Sequence, residues 1–245
     1  MHDVRDEMAG HDDRRRRIDE RRQEERAKIL EAATRLFFEN GYAGTTMEAV
    51  ADEMCVTKPT IYWYFRSKHE ILAAICLRSA EAAIETILKV EERRDPLFDV
   101  FESCRRIALI STFDIRTNAI FFREAHALSA NVRARMSAAG RVYSTAMGDL
   151  LERARAAGAL HFRDTRVTAR AVGGIIASLH RWYRPDGAMA PRELAWEIAS
   201  MMVRAAGARE FEPRFPEDPA ASRRDQLRVA EEPWAAVYWW IASEE

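Results

Sequence analysis

The segment from Lys58 to Tyr64 concentrates side chains that can contact DNA. Its outward positions carry a cation, a hydroxyl group and large amphipathic rings, which can meet phosphates, base edges and thymine methyl groups. Core packing is the other common use of such an aromatic cluster. Three successive aromatic residues and Phe65 cannot all face one interior from one short helix. We therefore expect some of them to be exposed, and an exposed aromatic cluster indicates a binding surface.

Two short helices joined by a tight turn are predicted around this segment. Thr45 and Glu48 form a T-x-x-E capping box at the start of the first helix, which runs to about Met54. Lys58-Pro59 begins the second helix, because proline fits the first helical turn, where its missing N–H would have had no partner. This arrangement is typical of a helix-turn-helix, whose second helix enters the major groove of DNA.

The rest of the chain also has a helical pattern. An upstream helix over 24–40 ends at Asn40-Gly41, and a long amphipathic helix begins after Ser67 and ends at Asp95-Pro96. Further helices are predicted at about 97–113, 115–128, 131–157, 165–183 and 191–207. With 10 glycines in 245 residues and no strand pattern in this region, the sequence predicts an all-α fold.

Composition and charge exclude several classes of protein. An apolar fraction of 48% in 245 residues supports a real core and excludes disorder of the whole chain. No apolar run reaches the ~20 residues needed to cross a bilayer, and no secretory signal is evident, so we expect a cytoplasmic protein without a membrane partner. The spacing of Cys55, Cys76 and Cys104 fits neither a disulfide framework nor a metal site, and we expect no cofactor.

Several motifs carry a family resemblance: Gly41-Tyr42, Thr45-Thr46, Ala49-Val50-Ala51 and the run from Val56 to Lys68. Together they resemble the N-terminal DNA-binding region of the TetR family of transcriptional repressors. The resemblance implies a set of DNA-contacting residues: Thr46, Met47, Lys58, Pro59, Thr60, Tyr62, Trp63, Tyr64 and Lys68.

Within this set the resemblance implies distinct roles. Thr46, Tyr62 and Lys68 would contact phosphates, and the residues against the base edges would be Lys58, Pro59, Thr60 and Trp63. Met47 stands at a base-reading position, so the operator sequence cannot be transferred. Cys55 stands where the family usually has a turn glycine, and a left-handed backbone there would cost on the order of 1 kcal/mol.

The C-terminal half is implied to be a helical effector-binding and dimerisation domain. The segments 121–124 and 180–187 are similar to a TetR branch that includes sensors of acyl-CoA thioesters. A predicted effector pocket comprises Leu109, Phe113, Phe122, His126, Met147, Ile176 and His180. A predicted dimer interface comprises Leu179, Trp182, Tyr183 and Trp196. The alternative is that these apolar and histidine residues belong to the core of a single chain.

These predictions divide the chain into four regions. Residues 1–22 form a disordered acidic and basic arm, 23–68 the helix-turn-helix domain, 69–207 the helical ligand-binding and dimerisation domain, and 208–245 a linker with an aromatic extension. Residues 21–72 contain eight Lys or Arg and eight Asp or Glu. Attraction to phosphates must therefore come from local placement of charge or from the arginines of the arm.

The function predicted from these features is a ligand-responsive repressor. It would bind a palindromic double-stranded operator as a homodimer and be released by a small effector, an acyl-CoA or another apolar molecule. One alternative is an activator or architectural DNA binder without a small ligand. The other is a helical hydrolase or lyase, but no catalytic motif is present, and the acid and base pair His161 and Asp164 lies at a helix start. We therefore predict that the protein is not an enzyme.

Overall fold

The computed structural model describes the backbone of residues 3–89 and 95–208, and the side chains of Arg14, 16–89 and 95–208. The regular elements in these ranges are all helical, which confirms the predicted all-α fold. The α-helices are α1 (Asp3–Gly44), α2 (Met47–Glu53), α3 (Lys58–Tyr64), α4 (Lys68–Leu88), α5 (Pro96–Phe113), α6 (Ile115–Glu124), α7 (Ala130–Ala156), α8 (Thr165–Trp182) and α9 (Pro191–Ala205). A short 3₁₀ helix, Ala125–Ala127, follows α6.

The chain divides into two compact units, Met1–Ile75 and Cys76–Glu245. The first contains α1 to α3 and the beginning of α4, and the second contains the remainder of α4 and α5 to α9. The functional limits assigned to 23–68 and 69–207 stay predictions. The aromatic extension predicted at 208–245 lies outside the described residues, except for Ala208.

Residues 3–22 correct the prediction of a disordered arm, because they are the first part of α1. Glutamate and arginine are good helix formers, and an ion pair at helical spacing joins Arg16 Nε to Glu20 Oε1 at 3.8 Å. The predicted left-handed stop after Asn40 is confirmed, since Gly41 has φ 75° and interrupts α1. The arginines of this segment therefore belong to the same helix, α1, as core residues of the first unit.

Two predicted helix boundaries were wrong. Thr46, not Thr45, caps α2, and its Oγ1 accepts from Ala49 N at 3.1 Å. Thr45 is buried, and its hydroxyl donates to the carbonyls of Leu36 and Gly41 instead. The second wrong boundary is the end of α4, which lies at Leu88 and not at Asp95-Pro96. The Asp-Pro pair begins the next helix instead: Asp95 Oδ1 accepts from Leu97 N at 3.0 Å as the cap of α5.

The first unit has a continuous apolar core that fixes the two short helices. Ile29 and Phe37 of α1, Val50 of α2 and Ile71 of α4 are almost completely buried. Ile61 is fully buried on the inner side of α3. Burying an aliphatic or aromatic side chain of this size contributes roughly 1.5–3 kcal/mol to stability. The buried side of α3 is therefore held firmly in this core, where α3 packs against α2.

The second unit is organised around α5, which packs against α7, α8 and α9. Its core includes Phe101 of α5, whose ring meets Trp196 of α9 edge to face with centroids 4.9 Å apart. An aromatic pair of this geometry stabilises the fold by more than the apolar area that it buries. The core of this unit also includes Leu109, Met147, Leu179 and Tyr183, which becomes important for the candidate sites.

The turn between α2 and α3 places a non-glycine residue in the left-handed region. Cys55 has φ 54°, which confirms the expectation drawn from its position. Its N–H donates to Asp52 O, and the N–H of Val56 donates to Ala51 O, both at 3.0 Å. The Cys55 side chain is exposed, so no buried contact offsets the strain.

We predict that Cys55→Gly stabilises the first unit relative to Cys55→Ala. Glycine relieves about 1 kcal/mol of left-handed strain, and its larger unfolded-state entropy returns part of that gain, so a net difference of a few tenths to about 1 kcal/mol is expected. Chemical denaturation followed by circular dichroism measures it. Equal stability of the two variants would show that the turn is not strained.

Candidate nucleic-acid interface and ligand cavity

The outward face of α3 is exposed and aromatic, as predicted. Tyr62 is 42% exposed and Trp63 is 64% exposed, whereas their neighbours Ile61 and Phe65 are fully buried. Pro59 and Thr60 are also exposed at the N-terminal end of the helix. The two buried residues anchor α3, so the exposed rings are presented from a rigid helix.

Hydroxyl groups and rings on this face are held by neighbouring side chains. The Thr60 and Thr57 hydroxyls lie 2.9 Å apart and share one hydrogen bond. Tyr64 is half-buried, and its ring meets that of Trp63 edge to face at 4.6 Å. These contacts restrict the rotamers of the side chains that the sequence predicts to contact DNA.

Lys58 is paired with an acidic residue that the sequence analysis did not include in the site. Its Nζ donates to Glu48 Oε1, and it lies 5.7 Å from the centroid of the Tyr62 ring. The hydrogen bond raises the pKa of Lys58 and lowers the pKa of Glu48, so both groups are charged at neutral pH. Because about half of each side chain is exposed, the ion pair is weak, and Lys58 can exchange Glu48 for a phosphate at little cost.

Two arginines of α1 lie against the end of α3. The guanidinium carbon of Arg22 is 5.3 Å from the centroid of the Trp63 ring, and that of Arg26 is 4.3 Å from the Phe65 ring. Arg26 also donates to the backbone carbonyl of Tyr64 at 2.8 Å. Arg22 was predicted to belong to the arm, and this contact was not predicted, although the spacing of four residues puts both arginines on one face of α1.

Two predicted DNA contacts are corrected by the structure. Met47 is only 6% exposed and packs in the core as the first residue of α2. Lys68 Nζ donates to three backbone carbonyls, those of Tyr42, Ala43 and Thr45, at 2.8, 3.2 and 2.9 Å. An ammonium group has three donors, so Lys68 closes the turn before α2 rather than offering a charge to phosphate. Thr46 is exposed at the start of α2, where its hydroxyl oxygen caps the helix.

The second unit contains a cavity of about 380 Å³ lined by residues of α4 to α8. Of the predicted pocket residues, it brings together Phe122 and Ile176. Most of the wall is apolar, and much of it comes from small residues such as Ala80, Ala83 and Gly173. A volume of this size is typical of a site for a small organic ligand.

The other predicted pocket residues lie elsewhere. Leu109 and Met147 are fully buried in the core, and Phe113 is 45% exposed outside the cavity wall. His126 is exposed, with Nδ1 3.0 Å from the Arg123 carbonyl oxygen. The apolar repeat identifies buried positions, but it does not reveal which side of a helix faces solid core and which faces a space.

His180 contacts the cavity wall without lining the cavity. Its ring stacks on Phe122 with centroids 5.4 Å apart and planes 9° from parallel, and its Nδ1 lies 2.7 Å from Ala177 O. Asn118 and Tyr143 line the cavity, although neither was among the predicted pocket residues. The sequence pattern could have indicated them, because each is a polar residue within an otherwise apolar stripe of its helix.

Three of the four predicted dimer residues are corrected in the same way. Leu179 is fully buried and Tyr183 is 5% exposed, both in the core, and Trp196 packs against Phe101. Trp182 at the end of α8 is 53% exposed, and Val167 near its start is 65% exposed. α8 therefore presents two large apolar side chains to solvent, and of the four predicted residues only Trp182 is among them.

The described residues add three further facts, on metal binding, membrane spans and a buried thiol. Among them, no group of three His, Cys, Asp or Glu side chains is placed to hold a metal ion. None of the described helices is both long and apolar enough to cross a bilayer. The thiol of Cys104 is fully buried, and burial raises its pKa to about 12, so it stays protonated and unreactive.

An exposed aromatic helix after a tight turn in one unit, together with a second helical unit that has an apolar cavity, is the architecture of a helix-turn-helix DNA-binding protein. Residues 29–75 match the family model for bacterial regulatory proteins of the tetR family, and residues 101–206 match that for the tetracyclin repressor-like C-terminal domain. Together the two models cover more than half of the chain. The chain belongs to the TetR family of transcriptional regulators, a family of DNA-binding proteins rather than enzymes.

Known proteins similar to this chain extend the comparison. It is 36% identical over 110 residues to the probable transcriptional regulator ArpR of Pseudomonas putida, an alignment that covers 43% of this chain. The chain spans about half the length of the curated relatives it matches. Its structure is similar to PfmR of Thermus thermophilus, with a TM-score of 0.68, 26% identity and coverage of 75% of this chain and 99% of PfmR.

A second similar structure is that of AibR in complex with isovaleryl coenzyme A and operator DNA. The TM-score is 0.63 and the identity 25%, over 72% of this chain and 96% of AibR. This similarity extends over helices of both units, whereas the match to ArpR covers less than half of the chain.

We predict that Glu48→Gln strengthens binding to duplex DNA about threefold to tenfold at moderate salt. The variant removes a carboxylate beside Lys58, so this lysine no longer has to leave an anion to reach a phosphate. Fluorescence anisotropy with a labelled duplex measures the change. Glu39→Gln, which alters the net charge equally on an exposed part of α1, is the matched control, and an equal gain from both variants would contradict a local role for Glu48.

Proposed function

We propose that this chain is a ligand-responsive transcriptional repressor, which binds a palindromic operator in the cytoplasm as a homodimer and releases it when a small effector binds. The observation that carries the proposal is the exposed face of α3, anchored by the buried Ile61 and Phe65. A rigid helix that presents rings and hydroxyl groups to solvent has the features needed to enter a major groove.

The proposed DNA contacts divide by chemistry. Base edges would be met by Lys58, Pro59, Thr60 and Trp63, and Tyr62 and Thr46 would contact phosphates. Tyr64 acts through its contact with Trp63, since it is half-buried. Arg22, which lies over the Trp63 ring, adds a cation from α1 to the same surface.

A homodimer is proposed because a palindrome has two equivalent half-sites. Two recognition helices in one assembly read successive major grooves about 34 Å apart. The exposed surface of α8 carries two large apolar side chains, Val167 near its start and Trp182 at its end. Burying this surface against its symmetry mate would remove it from water.

The cavity supports an effector-binding role for the second unit. AibR, whose structure is similar, was solved with isovaleryl coenzyme A and operator DNA, so an acyl-CoA is one candidate effector. Residues of α4 line the cavity, and α4 begins in the first unit, which gives a ligand-induced shift a covalent route to α3. A ligand that prefers the released conformation by about 10⁴-fold would convert a 1:99 equilibrium to 99:1.

We predict that Trp63→Ala lowers affinity for the operator at least tenfold while leaving binding to unrelated DNA nearly unchanged. Loss of a base-edge contact costs roughly 1–3 kcal/mol, whereas non-specific binding depends on phosphates. Competition anisotropy with operator and random duplexes separates the two effects. Phe113→Ala removes an aromatic ring of similar exposure from the second unit and should leave both affinities intact; a loss of both in Trp63→Ala would argue against sequence reading.

We predict that Val167→Asp converts the dimer to a monomer and abolishes operator binding at nanomolar concentrations. A carboxylate buried at a symmetric interface is desolvated next to its own symmetry mate. Sedimentation or light scattering gives the mass of each species. Val142→Asp, the same change at a similarly exposed position of α7, should remain dimeric, and an unchanged mass in Val167→Asp would exclude this face of α8.

A further inference from the structure

We infer that the cavity binds a neutral, largely apolar molecule through a carbonyl oxygen that accepts hydrogen bonds from Asn118 and Tyr143. This inference rests on the proposed effector role of the second unit and names the chemistry of its ligand. It depends on three properties of the wall: two polar groups without partners, little charge, and space kept open by small residues.

The two polar groups are buried and lack hydrogen-bond partners among the described residues. Asn118 is 8% exposed, and its Nδ2 makes no hydrogen bond with the protein. The hydroxyl of Tyr143 is buried and also unpartnered, and burial raises the pKa of this phenol, so it remains a donor at any physiological pH. Unpaired buried donors are rare and costly, and both residues line the same cavity, Asn118 from α6 and Tyr143 from α7.

The charges in the wall do not suit a buried anion. Arg170 and Asp114 are the charged residues among those lining the cavity. Asp114 already accepts from Thr117 N at 3.2 Å as the cap of α6, and Arg170 is exposed. A carboxylate or phosphate buried beside Asn118 would lose its hydration without gaining a cation, whereas a neutral carbonyl needs only the two donors.

The glycines of α8 keep space for such a molecule. A Cβ at Gly173 would meet only the Tyr143 ring, at 4.0 Å, which is an ordinary contact distance. Packing among the described residues therefore does not require glycine here, although glycine lowers helix stability relative to alanine. Phe121 and Phe122, edge to face at 4.9 Å, add aromatic surface to the same wall.

The carbonyl could come from either of two sources. One is a free neutral ester or ketone. The other is an acyl-CoA whose acyl carbonyl enters the cavity while its charged nucleotide stays in solvent. The same two donors serve both, so the test must contain both kinds of molecule.

The test is calorimetry and thermal denaturation of the full chain, without DNA. The probes are methyl 3-phenylpropanoate, the 3-phenylpropanoate anion as its charged match, and isovaleryl coenzyme A. We expect the ester, the thioester or both to bind, and the anion to bind at least tenfold more weakly than the ester. An ester response without a thioester response identifies a free small molecule, and the reverse identifies an acyl-CoA; either supports the inference.

Variants give a second readout that needs no ligand. Asn118→Leu and Tyr143→Phe each remove an unpaired buried polar group, so each should raise the Tm of the free protein by about 2–4 °C and weaken binding of the responding probe about tenfold. Ser200→Ala is the matched control. It removes an unpartnered hydroxyl of the α9 core, outside the cavity wall, and should raise the Tm without changing ligand affinity.

Equal binding of ester and anion would overturn the inference, as would no response to the ester and the thioester at millimolar concentration. Unchanged ligand affinity in both cavity variants would overturn it as well. Operator release is measured separately. Binding of the ester or thioester without operator release would contradict the proposed effector function and leave the ligand chemistry intact. Release by the anion alone would support the effector function and contradict the ligand chemistry.

Discussion

The burial of one side of α3 is the interaction on which the rest of the first unit depends. Ile61 and Phe65 are removed from water completely, while Tyr62 and Trp63 between them are not. A seven-residue helix has little stability of its own, because helix nucleation is unfavourable and few hydrogen bonds follow it. Its conformation is therefore set by the core beneath it, and the same core fixes the direction of the exposed rings.

Several costly features of the first unit serve that geometry. Cys55 accepts a left-handed backbone so that α3 can turn back onto α2. Lys68 uses its ammonium group on the backbone carbonyls of the preceding turn, which fixes the start of α4 near the end of α1. Neither feature touches the exposed face, yet both restrict where it lies, so a charged or strained residue near a binding surface need not contact the ligand.

The helices, the positive φ at Gly41 and Cys55 and the exposed aromatic face could all be predicted from sequence, because helical period, caps and the limited size of one helix face are local signals. The assignments of Leu109 and Leu179 could not, because each lies on an apolar stripe, and a stripe predicts burial without saying whether it faces a core, a cavity or a partner. Met47 and Lys68 were assigned from their places in the family motif. The motif does not reveal that Met47 is buried or that Lys68 bonds to a turn more than twenty residues earlier. The high charge of residues 3–22 is typical of a disordered arm, but their glutamate and arginine residues also favour a helix, which is the conformation they adopt.

The central claim is that a pair of α3 helices reads DNA sequence at a fixed spacing. Selection of bound duplexes from a random library by the purified full chain tests it most directly. The account predicts enrichment of an inverted repeat whose two half-sites are separated by about one helical turn, ~34 Å. Recovery of a pool indistinguishable from the starting library, or of single half-sites without a preferred spacing, would contradict it.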